Sequence, residues 1–310
     1  MSVSSKTSGI TSSKWFKPVA IAVAALVAML LVVLLAKWLR SMTGVQDFVT
    51  SYPGHSELPA ATPTGLPAWL GWQHFLNMFF LVLIIRSGWQ VRTTTRSAAS
   101  WTRNNKGFIK TKNPPTKISL ELWFHLTLDA LWVLNGIVFI VLLFATGQWL
   151  RIVPTSWDVF PNALSAALQY ASLNWPTENG WINYNSLQLL TYFAVVFIAA
   201  PLSLLTGLRT SPAWPKKAPT LNKFFPMELA RKIHYPVMIF FVLFIIVHVT
   251  LVLTTGALRN LNHMFAANDG DSWLGFGFFA AAILVIVAAW FLARPLFLRP
   301  IASLMGKVSR

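Results

Sequence analysis

Six long apolar runs, nearly free of charge, constrain this chain more than any other feature. They lie near residues 18–36, 68–86, 120–146, 186–208, 233–255 and 273–293. A helix needs about 20 residues to cross a hydrocarbon core of roughly 30 Å. Backbone in lipid must satisfy its own hydrogen bonds, so runs of this length predict helical spans. The expected fold is an all-α integral membrane bundle of six transmembrane helices. Composition agrees, with 55% hydrophobic and only 11% charged residues, against about 25% charged in soluble domains. The run at 18–36 exceeds the h-region of a signal peptide, about 7–15 residues, so it is expected to remain as a helix. There is no Cys. Disulfides, iron–sulfur clusters, covalent Cys-x-x-Cys-His haem attachment and a Cys nucleophile are thereby excluded.

The net charge of +16 invites a nucleic-acid reading, but its distribution argues otherwise. Basic residues gather in alternate connections. Residues 1–17 carry Lys6, Lys14 and Lys17, and residues 87–119 carry Arg92, Arg96, Arg103, Lys106, Lys110, Lys112 and Lys117 with no acid. Residues 209–232 carry Arg209, Lys216, Lys217, Lys223, Arg231 and Lys232 against Glu228. The tail adds Arg294, Arg299, Lys307 and Arg310. The other connections hold Arg40, Arg151 and Arg259 against Asp47, Glu57, Asp158, Glu178, Asp269 and Asp271. Lys and Arg concentrate on the cytoplasmic side. Both termini are therefore expected inside, with the bilayer and not a nucleic acid as partner. Trp38, Trp69, Trp72, Trp149, Trp181 and Trp273 fall near expected outer helix ends, and Trp89 and Trp123 near inner ends, as interfacial belts do.

Four of the six histidines fall in or at the spans: His74 in the second, His125 in the third, His234 and His248 in the fifth. His55 and His263 fall in outer loops and read as solvated. An ionisable residue inside a span is a functional candidate. His234 and His248 are 14 residues apart, which on a helix is a rise of about 21 Å within roughly 40° of one face. With alternating helix directions, His74 meets His248 at the outer level and His125 meets His234 at the inner one. Neutral imidazole is a good iron ligand, and an apolar macrocycle suits a cavity between bundle helices. Two bis-His haem b sites are expected; a structural or proton-relay role is the alternative. A di-metal carboxylate centre needs several intramembrane acids, and only Asp129 qualifies.

Local strings add a resemblance. Trp72-Gln-His74-Phe-Leu-Asn through Arg86-Ser-Gly88 resembles the first haem helix of bacterial di-haem cytochrome b membrane subunits. That family serves formate dehydrogenases, Ni-hydrogenases and thiosulfate reductases. His125 through Asn135-Gly136 to Thr146-Gly147-Gln-Trp149-Leu-Arg-Ile-Val-Pro154 is similar to its thiosulfate reductase branch. So are Tyr184-Asn-Ser-Leu-Gln188 through Pro201 to Thr206-Gly207-Leu-Arg209-Thr-Ser-Pro212, and Ala230-Arg-Lys-Ile-His234 through His248 to Thr255-Gly256. Residues 66–265 are covered. The added first helix and the lack of an Arg between Trp69 and His74 depart from the family pattern. The resemblance implies a membrane anchor that exchanges electrons between quinone and a partner oxidoreductase, often an exported molybdopterin enzyme, in which the substrate chemistry resides.

Asp129, one turn after His125, is positioned to hydrogen-bond the ligand ring or to exchange quinone protons. Arg231 and Lys232, just before His234, suit haem propionates or interfacial anchoring. Gly136 leaves room for a porphyrin face. Gly88, Gly147, Gly207 and Gly256 each follow Ser or Thr near a helix end and suit haem contact, helix packing or capping. In the outer loop 148–183, Pro161 to Ser172 reads as a short helix with Phe160, Leu164 and Leu168 on one stripe. The inner loop 87–119, with Asn113-Pro-Pro115, reads as an extended basic connector. Three regions are expected: 1–67 with the extra helix, 68–256 as a four-helix haem-binding core, and 257–310 with the sixth helix and tail. The whole is read as a two-haem electron-transfer subunit of a bacterial cytoplasmic membrane. A secondary transporter or proton conductor with a His relay, and a haem-based sensor, are the alternatives.

Overall fold

The structure is a computed structural model that describes residues 14–106, 110, 114–175, 179–215 and 217–310. Lys6, Lys112, Asn113, Glu178 and Lys216, which entered the reading above, lie outside the described residues. In chain order the elements are α1 (Phe16–Arg40), α2 (Thr43–Ser51), α3 (Ala68–Thr93), β1 (Ser100–Arg103), β2 (Ile118–Ser119), α4 (Leu120–Ala145) and α5 (Val159–Ala171). Then come α6 (Ser186–Phe193), a π-helical turn (Ala194–Ala199), α7 (Ala200–Thr210), α8 (Pro219–Phe224), α9 (Met227–Thr254) and α10 (Ala257–Leu261). A second π turn (Asn262–Ala266) leads to α11 (Leu274–Leu292), α12 (Pro295–Met305) and β3 (Gly306–Ser309).

Six helical stretches among the described residues are long and apolar enough to cross a membrane: Phe16–Arg40, Ala68–Thr93, Leu120–Ala145, Ser186–Thr210, Met227–Thr254 and Leu274–Leu292. Each coincides with an expected span, and the chain is a helical membrane bundle. Their ends have local causes. Ser119 accepts a hydrogen bond from the Leu122 N–H at 3.1 Å, and Glu121 sits in the first turn, so α4 begins with a cap and a favourable charge. Helix α3 outruns its apolar stretch because its basic side chains lie along aromatic surface. The Arg86 guanidinium sits 5.2 Å from the Trp290 ring centroid, and that of Arg92 sits 4.2 Å from Tyr235. Pro201 has no N–H, and in a regular α-helix its ring would clash with the carbonyl of Phe197. The chain widens into the π turn at Ala194–Ala199 just before it, which absorbs that mismatch.

The chain divides into two compact units. The first comprises the described residues of Met1–Leu58, Pro154–Asn179 and Asn183–Leu190. Its centre is α5, which confirms the expected outer-loop helix and starts two residues earlier than Pro161. The face that α5 buries joins Val159 to small or polar residues: Asn162, Ala163, Ser165 and Ala166. Asn162 Oδ1 accepts from the Gly54 N–H at 2.9 Å, Gln169 Nε2 donates to the Pro53 carbonyl at 2.9 Å, and Arg40 at the end of α1 donates to Ser172 Oγ at 2.9 Å. The stripe at Phe160 and Leu164 is exposed. Apolar α1 buries only Ala36, as expected of a helix whose solvent is lipid.

The second unit comprises Pro59–Val153, Gly180–Ile182 and Thr191–Arg310. Its core gathers Leu83 of α3, Leu120, Trp123, Phe124 and Leu128 of α4, Ala99, Ala293 and Ala302 of α12. The loop 87–119 differs from expectation. Part of it is a sheet in the order β2-β1-β3, antiparallel throughout, with Ser100 opposite Ser309 and Trp101 opposite Val308. The C-terminal tail thus becomes an edge strand, and Trp101 Nε1 donates to the Ala302 carbonyl at 2.9 Å. Neither partner alone carries enough apolar alternation to announce a strand; pairing across about 200 residues creates it.

Candidate functional site

Three helices of the second unit, α3, α4 and α9, bring the intramembrane histidines into two pairs. His74, in the second turn of α3, faces His248 near the far end of α9, with ring centroids 6.2 Å apart and planes at 66°. His125, in the second turn of α4, faces His234 of α9 at 6.5 Å and 88°. One helix therefore supplies a ring to each pair, as the 14-residue spacing requires. The pairing matches that expected from helix direction.

The two pairs have different surroundings. Around the first, Phe244 stacks on His248 at 5.3 Å, Tyr192 approaches the same ring edge-on at 6.2 Å, and Phe265 lies 5.6 Å from His74. Around the second, hydroxyls take the place of aromatics. Ser87 Oγ lies 2.9 Å from His125 Nδ1, and Thr206 Oγ1 lies 2.9 Å from His234 Nδ1. Ser87 donates its one hydroxyl proton to the Ile84 carbonyl at 3.0 Å, and Thr206 donates to Leu202 at 2.7 Å. Each hydroxyl oxygen is then an acceptor toward its histidine, so Nδ1 carries the proton and Nε2 keeps its lone pair.

These separations suit one metal between each pair. With a metal–nitrogen distance of about 2 Å, two imidazoles on opposite sides of an ion have centroids about 6 Å apart. Rings sharing such an axis are free to be twisted about it. Among the described residues no three His, Asp or Glu side chains converge as a metal-binding group, so an ion held here needs further ligands. A porphyrin supplies four.

The family model for prokaryotic cytochrome b561 matches residues 74–267, which starts at His74 and takes in all four paired histidines. The chain belongs to the prokaryotic cytochrome b561 family. It is a membrane b-type cytochrome of electron transfer, and the family implies haem b. Neither the curated proteins nor the solved structures contain a match to it.

In this cytochrome the remaining candidates fall out as follows. Asp129 stands 3.6 Å from His125 Nε2, beyond hydrogen-bond reach. The hydrogen bond expected from it is made by Ser87 instead, on the other ring nitrogen. The carboxylate lies on the side of the ring that faces His234. Arg231 and Lys232 are exposed on the second turn of α9. A Cβ on Gly136 would meet nothing within 4 Å, and Gly136 lies three turns beyond His125 on the same helix face.

The four Ser/Thr-Gly pairs divide into two kinds. Gly147 (φ +74°) and Gly256 (φ +127°) end α4 and α9 in conformations that suit glycine. Gly88 and Gly207 sit inside helices, where a Cβ would stand 3.1 Å from His125 Cε1 and 3.3 Å from His234 Cε1. The hydroxyl partners Ser87 and Thr206 were missed by the sequence reading, although each precedes a glycine already singled out. His263 corrects an expectation. It is buried, with Nε2 2.8 Å from Asp269 Oδ1 and its ring 5.4 Å from Trp181. The π turn at Asn262–Ala266 carries it inward, and Arg259 joins the same carboxylate at 3.0 Å.

Proposed function

We propose that this cytochrome holds two haem b groups, one between His74 and His248 and one between His125 and His234. It passes electrons between the quinone pool and a partner oxidoreductase, of the exported molybdopterin type that the motif resemblance implies. The observation that supports the reading is the pair of ring separations, 6.2 and 6.5 Å, carried at two levels by a single helix. Haem supplies reversible one-electron chemistry when bound. The chain's part is to hold it. His74, His248, His125 and His234 would hold the haem iron, Gly88 and Gly207 leave space for the His125 and His234 rings, and the open side of Gly136 would accommodate a macrocycle face. Arg231 and Lys232 are suited to the propionates, and Asp129 to protons exchanged with a quinol near His125. Two levels about 21 Å apart along α9 give an electron a path from one side of the bilayer to the other.

A pyridine haemochrome assay on fully loaded protein is expected to give two haems per chain; one haem would overturn the two-site reading. His74→Ala and His248→Ala are expected to lose the same haem, and His125→Ala and His234→Ala the other. Removing one ligand leaves its partner imidazole unpaired in a dry setting, so a double variant within a pair loses little more than either single one. Agreement of His74→Ala with His125→Ala would break the pairing. The quinone arm is separate. A short-chain quinol added to the reconstituted protein should reduce haem that dithionite also reduces. Reduction by dithionite alone would remove quinone while leaving the haem sites standing.

A further inference from the structure

We propose that Ser87-Gly88 and Thr206-Gly207 are matched seats for His125 and His234, which fix both rings with Nε2 toward the metal and lower the reduction potential of that haem alone. The inference rests on the ligand assignment above and goes beyond it by naming the residues that tune one site.

The two seats are built alike on different helices. In each, a hydroxyl whose proton is committed to its own helix carbonyl presents a lone pair to Nδ1 at 2.9 Å. In each, the next residue is a glycine whose missing Cβ makes room for ring carbon Cε1, at 3.1 and 3.3 Å. A side chain at either position would crowd the ring, which would have to shift by a few tenths of an ångström. Ser87 and Thr206 are both fully buried, at 0% exposure, so water does not compete for the bond. Neither residue is needed for the helix itself, since Ala and Val would fill the same space.

An Nδ1–H held by an acceptor makes the opposite nitrogen more basic and fixes the tautomer. A more basic ligand favours ferric over ferrous iron, which lowers the potential; hydrogen bonding to the ligands is one of the protein's levers on haem. The other pair lacks this device. Among the described residues nothing hydrogen-bonds His74 or His248, whose neighbours are the aromatic rings of Phe244, Tyr192 and Phe265. One chain therefore holds two sites with the same ligands and different tuning.

The test is a spectroscopic redox titration of the intact, haem-loaded protein in detergent. The midpoint that disappears in His125→Ala and His234→Ala identifies the haem concerned. Ser87→Ala and Thr206→Val are each expected to raise that midpoint, with the midpoint of the other haem unchanged. Their double variant should shift further, and Thr206→Ser, which restores the hydroxyl, should titrate as the wild type. Unchanged midpoints in both hydroxyl-free variants would overturn the proposal, as would equal loss of both haems or movement of the His74–His248 midpoint. If His125→Ala and His234→Ala kept both haems, the ligand assignment itself would fail, a result distinct from any effect of the seats.

Discussion

Arg151 shows how a side chain with no chemistry can still organise one end of the fold. It is 2% exposed and follows α4 in a short 3₁₀ turn. Its Nη1 donates to the carbonyls of Pro63, Trp181 and Ile182 at 3.2 Å each, and its Nη2 to Gly180 at 2.7 Å. Only a planar fork of donors reaches several carbonyls at once; a Lys ammonium is a point charge. Hydrogen bonds to charged groups contribute about 1.5–3 kcal/mol each and do not add fully. Arg151→Lys is expected to destabilise the second unit by on the order of 3 kcal/mol, and Arg151→Ala by at least as much. Thermal unfolding of the detergent-solubilised variants checks this, and a wild-type melting temperature for Arg151→Ala would refute it. From sequence, Arg151 reads only as one of few basic residues on its side of the chain. Its carbonyl partners come from two segments distant in sequence, which no local pattern reveals. His263 escaped for the same reason: its burial depends on Trp181 and Asp269, not on its neighbours.

At the scale of elements, β3 and α12 tie the end of the chain to the loop between α3 and α4. Gly306 faces Arg103 in the register, and a Cβ there would run into the Thr102 carbonyl oxygen and the Trp101 ring. A side chain at this position is thus costly to the pairing. Deleting residues 306–310 removes the partner of β1 and leaves it paired with only the two residues of β2. Two-stranded remnants of this size are marginal in water. Truncation after Met305 is expected to open the loop to trypsin at Arg103 and Lys106 while the haem spectrum stays intact. An unchanged digestion pattern would show that the tail does not hold the loop. Helix positions, by contrast, were legible from hydropathy, because lipid imposes about 20 apolar residues on every span. The short strands were not, since a four-residue strand has no comparable requirement.

For the whole molecule, sidedness follows from charge. Twenty of the 25 basic residues lie in four alternate segments. The sheet joining β1 to β3 puts two of them, the 87–119 loop and the tail, on the same side of the second unit. The expected orientation places these segments in the cytoplasm. Thr95, just past the end of α3, is exposed and can report on this loop. In the naturally Cys-free chain, Thr95→Cys should resist a membrane-impermeant thiol reagent in intact cells and react after permeabilisation, whereas Glu57→Cys should react in both. The reverse pattern would invert the topology without altering the histidine pairs.

The sequence by itself determined which six stretches of the described residues are helices long and apolar enough to cross a membrane, and which four histidines stand at two levels along them. Hydropathy, a 14-residue spacing and helix direction are one-dimensional quantities, and the bilayer turns them into depth. Tertiary structure decided what surrounds each ring: hydroxyls and glycines from α3 and α7 at one pair, aromatics at the other. Hydrogen bonds act over about 3 Å, and only packing of specific helix faces brings Ser87 to His125 or Thr206 to His234. It also separated the Ser/Thr-Gly pairs that end helices from those that seat a histidine. The two kinds read alike along the chain and differ only in what lies within 4 Å of the missing Cβ.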